Sequence, residues 1–448
     1  MTLILAPYTR PPTDKPVGVV LDTRTVVGEW VGRMWNDIPK RAVLYVNDAP
    51  TLRPMYDAGE LEAIYWAKPG RLRKLSSWRW DHPDRHRHSI FILQGTLSKV
   101  PVEHRLAAVL AVIDKIREWG AAPASPVGML NALQRISMTS TFRESSANAP
   151  GEYLWRGSRI ERGKHFAVEY GPTDIWDMRS AFPRALTEVS IPTRWRRYKA
   201  GKDLPEVESG FCHARVNVPW YMYGPLPDVW LANPTFPVET KLSGIWSLDE
   251  LRIAQATGCE ISPREYWVGN TSTQPFAEWG RMIDELRASV PESSVKIVKM
   301  AANRYVGRFA MDGHRERSRM VNGELEWVVE KGHRRPESLT VHGLVTADVR
   351  STMFVEGIWP YPAHFIFCHT DGVALMTDAS IDARPPPSKR WRVKTFMERL
   401  LLLNPQRYAY RPGPEDPAPW RYVVAGVPEE VAEPFFLRRW GKLSRDRG

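Results

Sequence analysis

The stretch Phe365-Ile366-Phe367-Cys368-His369-Thr370-Asp371-Gly372-Val373-Ala374-Leu375 sets two short apolar runs on either side of a polar tip. That order predicts a β-hairpin that lifts Asp371 into an open site. Working outward, Asp174-Ile175-Trp176-Asp177-Met178-Arg179-Ser180-Ala181-Phe182-Pro183 has the same character: an apolar strand end, an acid, and a turn closed by proline. Two carboxylates carried by neighbouring strands make a divalent-metal site. Between the two stretches lies Lys299-Met300-Ala301-Ala302-Asn303-Arg304-Tyr305-Val306-Gly307. Lys299, Asn303 and Gly307 recur at four-residue steps there and so share one face of a helix.

A chain of 448 residues is too long for one hydrophobic core, and its length predicts roughly two to four domains. With 43% hydrophobic and 25% charged residues it has the composition of a soluble globular protein. No run approaches the ~18 apolar residues of a membrane span, and the N-terminus lacks the basic, apolar, small-residue order of a signal peptide. The expectation is a cytoplasmic protein, in a host cell if it is viral, with no membrane partner. Cys212, Cys259 and Cys368 lack CxxC spacing, which argues against a disulfide framework or a structural zinc site. Lysine plus arginine outnumber the acids by 62 to 51, a formal charge of +11. That balance fits a nucleic-acid groove, where neutralised phosphates release counterions.

Along the chain, Val17 to Leu21 and Ala42 to Val46 read as strands ending at Asp22 and Asp48, and Leu106 to Trp119 as an amphipathic helix carrying Asp114. The segment Trp78 to His88 crowds basic, aromatic and histidine side chains and reads as a solvated polar loop; its spacing matches no tetrahedral zinc pattern. The residues around Phe211 to Val218 are strand-like. Ser247 with Glu250 forms a capping box ahead of a helix, and a strand follows around Tyr266-Trp267-Val268. Pro275 to Val290 and Ser293 to Phe309 predict an antiparallel helix pair joined through Pro291-Glu292. His314 to Val329 predicts a hairpin turning at Asn322-Gly323, and Val341 to Met353 a helix. Pro385-Pro386-Pro387 is a rigid spacer, and Lys389-Arg390-Trp391-Arg392-Val393-Lys394 alternates cations with apolar residues, a pattern suited to duplex backbone.

In this order the three opening stretches resemble the A, B and C motifs of family B DNA polymerases, written DxxSLYP, KxxxNSxYG and YxDTDS. Asp177, Ser180, Phe182 and Pro183 match the first. Lys299, Asn303 and Gly307 match the second, with Arg304 and Val306 in place of its serine and tyrosine. Thr370 and Asp371 match the third, with His369 where its first aspartate belongs and Gly372 where its serine belongs. The resemblance covers residues 150 to 430, and the reduced motifs look like those of compact polymerases from viruses and mobile elements, related to the protein-primed subgroup.

The resemblance implies an α/β (α+β) right-hand polymerase with palm, fingers and thumb, preceded by an exonuclease-like α/β domain. Residues 1–120 would be that domain, 121–150 a linker, 151–245 the first part of the palm, 246–310 the fingers, 311–384 the second part of the palm and 385–448 the thumb. Asp22-Thr23-Arg24 has the outline of the exonuclease DxE motif with arginine for glutamate. A guanidinium in a two-metal carboxylate cluster would repel the cations, so this domain is expected to lack proofreading. By the resemblance, the residues between 190 and 245 would be either a reduced version of the insertion that protein-primed members carry between the first two motifs or plain palm sheet, the plain sheet being favoured.

By the same resemblance Asp177, Asp371 and the backbone of Met178 would hold two Mg2+ or Mn2+ ions. Met178, Arg179, Ser180, Ala181 and Phe182 would cradle a dNTP through their amides. Lys299, Asn303, Arg281 and Lys296 would contact it from the helix pair, Lys299 with a catalytic role, and Phe182 would exclude a 2′-hydroxyl. Template and primer DNA would be touched by Arg156, Gly157, Arg159, Tyr305, Gly307, His369, Thr370, Lys389 and Lys394. Arg407 and Tyr408 would join them, in a Gln406-Arg407-Tyr408 element at the position of the family's KxY. The implied partners are primer-template DNA and a priming or accessory protein. His369 removes one negative charge and, as an imidazole, favours Mn2+ over Mg2+.

Overall fold

The computed structural model describes residues 3–7, 42–46, 63–65, 77–81, 87–92, 97, 100–120, 161–163, 168–199, 201, 203–207, 209–219, 224–228, 236–269, 272–309, 314–321, 324–331, 338–377, 390–405, 407–413, 419–424 and 432–445. It divides into two units, Met1–Phe142 with Phe276–Glu337, and Arg143–Pro275 with Ser338–Gly448.

In the first unit, a four-stranded sheet runs in the order Leu3–Pro7, Ala42–Val46, Arg87–Ile92, Ser77–Asp81. Its middle pair is parallel and its outer pairs antiparallel, a mixed sheet of α/β type. Much of the stretch read as a polar loop is therefore strand, with Trp78 opposite Ile90 and Trp80 opposite His88. The period-two alternation Trp78-Arg79-Trp80-Asp81 was present in the sequence but masked by its charge.

Helix Val102–Glu118 buries Val109, Val112, Ile113 and Ile116, the spacing of one helical face. It packs with helices Ala277–Ser289 and Glu292–Arg308. Between the last two, Trp279 stacks on Tyr305 at 4.8 Å, and Phe276 and Phe309 close around that ring edge-on. The expected hairpin strands pair, His314–Val321 with Glu324–Lys331 and Val321 opposite Glu324, and Ala63–Tyr65 adds a third strand; Asn322-Gly323 lies outside the described residues.

Among its described residues the second unit has three larger sheets and a two-stranded pair, Ile191–Pro192 with Ser272–Thr273. A five-stranded antiparallel sheet has the order Trp391–Met397, Thr173–Met178, Gly372–Met376, Phe365–His369, Glu161–Gly163. One face is closed by Ile175, Ile366, Phe367, Ala374, Met397, Leu400 and Leu402. A separate sheet takes Trp195–Lys199, Glu260–Gly269, Gly210–Val218 and Thr240–Ser247. Cys212, Ala214, Val216 and Val218 alternate into its core with Trp246 and Leu251. Strands Trp195–Lys199, Gly210–Val218 and Thr240–Ser247 thus pair with one another or with Glu260–Gly269, in a sheet separate from the one that carries Asp177. Composition predicts strands there but not their partners, which packing selects.

The third sheet joins Val168–Tyr170, Arg399–Asn404, Arg407–Arg411 and Arg421–Val424, and Phe436 of helix Ala432–Arg445 packs with Leu403, Ala409 and Val424. Helix Leu339–Thr352 is buried along most of its length and runs on into a π-helical turn, Met353–Ile358. The capping box forms in full: Glu250 N–H donates to Ser247 Oγ, and Glu250 Oε2 accepts from the Ser247 amide. Glu250 Oε1 accepts from Arg350 Nε at 2.7 Å. No helix among the described residues is long and apolar enough to cross a membrane.

A candidate two-carboxylate site at one end of the five-stranded sheet

One row of residues crosses all five strands. Arg392 lies opposite Asp177, Asp177 opposite Gly372, Gly372 opposite His369, and His369 opposite Glu161. Asp371 immediately precedes Gly372, and its carbonyl accepts a hydrogen bond from the Met178 amide at 2.7 Å. The two acids singled out in the sequence therefore stand at neighbouring positions of adjacent strands. Gly372 has a reason to be glycine: a Cβ there would lie 3.2 Å from the Trp176 carbonyl oxygen and 3.9 Å from Asp177 Oδ1. The serine of the family motif would crowd this backbone.

Both acids are followed or preceded by unusual backbone. Among the described residues three non-glycine positions have positive φ, and two of them are Ser180 at 52° and Thr370 at 59°. Ser180 turns the chain from the Asp177 strand into helix Ala181–Glu188, and its hydroxyl does not cap that helix. Thr370 is the first residue of the two-residue turn whose second is Asp371. A β-branched residue in the left-handed region is costly, and such strain concentrates at functional sites.

Asp177 has a side chain only 5% exposed, and two cations from the edge strand reach it: Arg392 Nη2 donates to Oδ2 at 2.8 Å and Lys394 Nζ to Oδ1 at 3.5 Å. One residue before that strand, Arg390 is held by Glu356 at 2.9 Å and Glu188 at 3.4 Å, and its carbonyl accepts the Arg179 amide. Trp391 Nε1 donates to the second Glu356 oxygen at 2.6 Å. Glu356 belongs to the π-helical turn, where a Cβ on Gly357 would lie 3.0 Å from Val373 and 3.3 Å from Trp391. Burial pushes the nearby Asp348 carboxyl up to about 6, against the pull of Arg390 and with Glu188, Asp249 and Glu356 adding to the rise. Only the alternation from Lys389 to Lys394 marks this network in the sequence; that its cations meet acids follows from strand pairing.

The donor set is two carboxylates and backbone carbonyls, hard oxygens of the kind Mg2+ and Mn2+ take. Among the described residues no group of three or more His, Cys, Asp or Glu side chains is placed to hold a metal. The guanidinium and ammonium against Asp177 mark where positive charge is accommodated, and the residues fit a cation on that ground.

The remaining predicted residues fall in several places. Of the five residues expected to offer amides, Met178 and Arg179 use theirs on Asp371 and Arg390, which leaves the helix start at Ala181 and Phe182 with amides that have no intrahelical acceptor. Phe182 is half-buried. In the first unit, Lys296, Asn303 and Gly307 are exposed and Lys299 half-buried on helix Glu292–Arg308, opposite the buried stripe Ile297, Val298, Ala301, Ala302, Tyr305 and Val306. The shared face of Lys299, Asn303 and Gly307 is real. Tyr305, read as a DNA contact, is fully buried between Phe276, Trp279 and Phe309 and offers no surface to a strand. Arg281, read as a nucleotide contact, is bound by Glu278 at 2.8 Å and Glu285 at 3.3 Å on its own helix, which raises its pKa.

Tyr408 packs its ring on Phe367 at 5.5 Å, and burial pushes its phenol up to about 12; Arg407 is exposed beside it. The lysine-x-aromatic order near Asp177 is supplied by Lys394-Thr395-Phe396, not by the Gln406 element. Thr370 is exposed, with its hydroxyl 3.4 Å from His369 Nδ1. Arg156, Gly157, Arg159 and Lys389 lie outside the described residues, as do Asp22, Arg24, Asp48 and the Pro385 to Pro387 spacer.

Comparison with solved structures gives near-complete overlap with one protein. Phi29 DNA polymerase complexed with primer-template DNA aligns with a TM-score of 0.67 and 14% identity, covering 91% of this chain and 87% of that one. Its ternary complex with primer-template DNA and incoming nucleotide gives 0.67 and 13%, covering 96% and 93%. The fold is that of a DNA polymerase. An orthorhombic crystal form of Phi29 DNA polymerase overlaps 98% of this chain at 12% identity and a TM-score of 0.65. No protein-family model matches the chain, and no curated protein matches it in sequence. The polymerase fold thus stands on a shared backbone path, as the mixed α/β class and the three motif stretches led one to expect.

Proposed function

We propose that the protein is a template-directed DNA polymerase that adds dNTPs to a 3′-hydroxyl. The observation that carries this reading is the placing of Asp177 and Asp371 at adjacent strand ends, with left-handed Thr370 just before Asp371 and left-handed Ser180 in the turn after the Asp177 strand, in a chain with the polymerase fold. Asp177, Asp371 and the Met178 carbonyl would hold two Mg2+ or Mn2+ ions. Such a pair, when bound, lowers the pKa of the attacking hydroxyl and neutralises the leaving pyrophosphate.

The protein's own residues supply the rest. The start of helix Ala181–Glu188 directs amides and the positive end of its dipole toward an anion, which suits a triphosphate. Phe182 beside them would select against a 2′-hydroxyl. In this reading Lys296, Lys299 and Asn303 would contact the nucleotide, with lysine acting as a mobile point charge. Primer-template DNA is the partner, and the domain limits given by the motif resemblance are retained, including an N-terminal exonuclease-like part without proofreading.

The test is incorporation of labelled dNTPs on a primed template in Mg2+ and in Mn2+, with Asp177→Ala and Asp371→Ala as controls. Incorporation that both substitutions abolish supports the reading. Absence of incorporation in either metal would overturn it in favour of a nucleic-acid-binding protein that keeps the fold, for which His369 is the best argument. Omitting the primer separates extension from primer-independent or protein-primed starts.

A further inference from the structure

The cations against Asp177 carry an inference that rests on the cation-site reading above. We propose that Arg392, assisted by Lys394, is a built-in counter-ion that a divalent cation must displace from Asp177, so that Arg392 sets the metal concentration at which the site loads.

Three observations lead here. First, Asp177 is 5% exposed, and both of its carboxylate oxygens face a cation, Oδ2 at 2.8 Å from Arg392 and Oδ1 at 3.5 Å from Lys394. A metal reaching either oxygen meets positive charge already in place, and like charges at this range repel strongly where solvent is thin. Second, the cations are built to leave. Arg392 and Lys394 are 46% and 57% exposed on the edge strand, so their long stems can swing into water without stranding their own charge once another cation takes their place on the buried Asp177. Third, the site has little spare negative charge. With His369 in place of an acid, the Asp177 carboxylate already faces two cations, so a metal binds it with useful affinity only if the guanidinium yields. The exchange is a plain substitution of one cation for another at the Asp177 oxygens; no bond is made or broken in the chain.

The experiment measures Mn2+ binding to the full-length protein, without DNA or nucleotide, from the paramagnetic resonance signal of free Mn2+. Arg392→Gln should tighten Mn2+ binding by about tenfold and Arg392→Lys should stay within about twofold of the unaltered protein, in the usual range of coupling between two sites. Asp177→Asn should remove the gain in the Arg392→Gln background. Unchanged or weaker binding in Arg392→Gln would overturn the proposal.

A second measurement needs no variant. Labelling of Arg392 by phenylglyoxal, read by peptide mass spectrometry, should rise when Mn2+ is added; labelling that stays constant would equally overturn it. Failure of the polymerase reading looks different: dNTP incorporation would be absent while the Mn2+ shift and the labelling change persist.

Discussion

Two carboxylate–guanidinium pairs of nearly equal length sit in the second unit and do opposite things. Glu250–Arg350, at 2.7 Å, has side chains 4% and 5% exposed, and Glu250 also closes a capping box. Asp177–Arg392, at 2.8 Å, pairs an equally buried acid with a guanidinium that is 46% exposed. In the first pair neither ion can leave without stranding the other in a dry core. In the second, the acid is fixed by its sheet and the base is free to exchange. The difference teaches that exposure of the cation, not the bond distance, separates an ion pair that holds a fold from one that keeps a site in readiness.

Breaking the first pair should give the largest effect. Arg350→Ala should cost about 3–5 kcal/mol, measured by denaturant unfolding, because Glu250 is left charged and buried. Asp177→Asn should change stability by less than about 1 kcal/mol, since its partner is solvated. In an incorporation assay the same substitution should lose on the order of a hundred- to a thousandfold in rate. If both substitutions unfold the protein equally, the contrast fails. Gly357→Ala should cost about 1–3 kcal/mol by overpacking against Val373 and Trp391, read as a lowered unfolding midpoint.

Asp348 sharpens the comparison through pH. Its folded pKa of about 6 lies above its ordinary 3.8, so the folded state binds the proton more tightly. Its stabilising contribution is complete below about pH 4 and is lost as pH rises through 6. Asp348→Asn should therefore raise stability by about 1–2 kcal/mol at pH 8 and leave it unchanged near pH 4, as followed by thermal melts across that range. The smallest effect expected is His369→Asp, which should raise the ratio of Mg2+- to Mn2+-supported incorporation by roughly a few-fold. An unaltered ratio would mean that the imidazole has no part in metal choice.

The sequence made the hairpin around Asp371, the strand–turn–helix after Asp177, the capping box and the Lys299 face legible, because each is written in local periodicity or turn chemistry. The row Arg392–Asp177–Gly372–His369–Glu161 was not, since strand pairing joins residues there that lie about two hundred positions apart. The same cause explains why the cations from Lys389 to Lys394 read as a DNA surface: alternation shows that they share a strand face but not what lies opposite. Tyr305 differs from its expected role because a four-residue step places Lys299 and Asn303 outward but says nothing of the ring two positions on, which hydrophobic neighbours claim. Trp78 to His88 was misread because charge density outweighed a period of two.

The π-helical turn at Met353–Ile358 has a consequence of its own. A wider turn amounts to one residue inserted into a helix, and each inserted residue rotates everything beyond it by about 100°. Glu356 reaches both Arg390 and Trp391 from within that widened turn. Shortening the chain by a single residue there would let the helix heal into ordinary geometry while swinging the carboxylate off its two partners. The lesion would leave every motif letter intact and still unmoor the strand that guards Asp177, so tolerance to deletion, more than tolerance to substitution, is the measure of how finely this region is set.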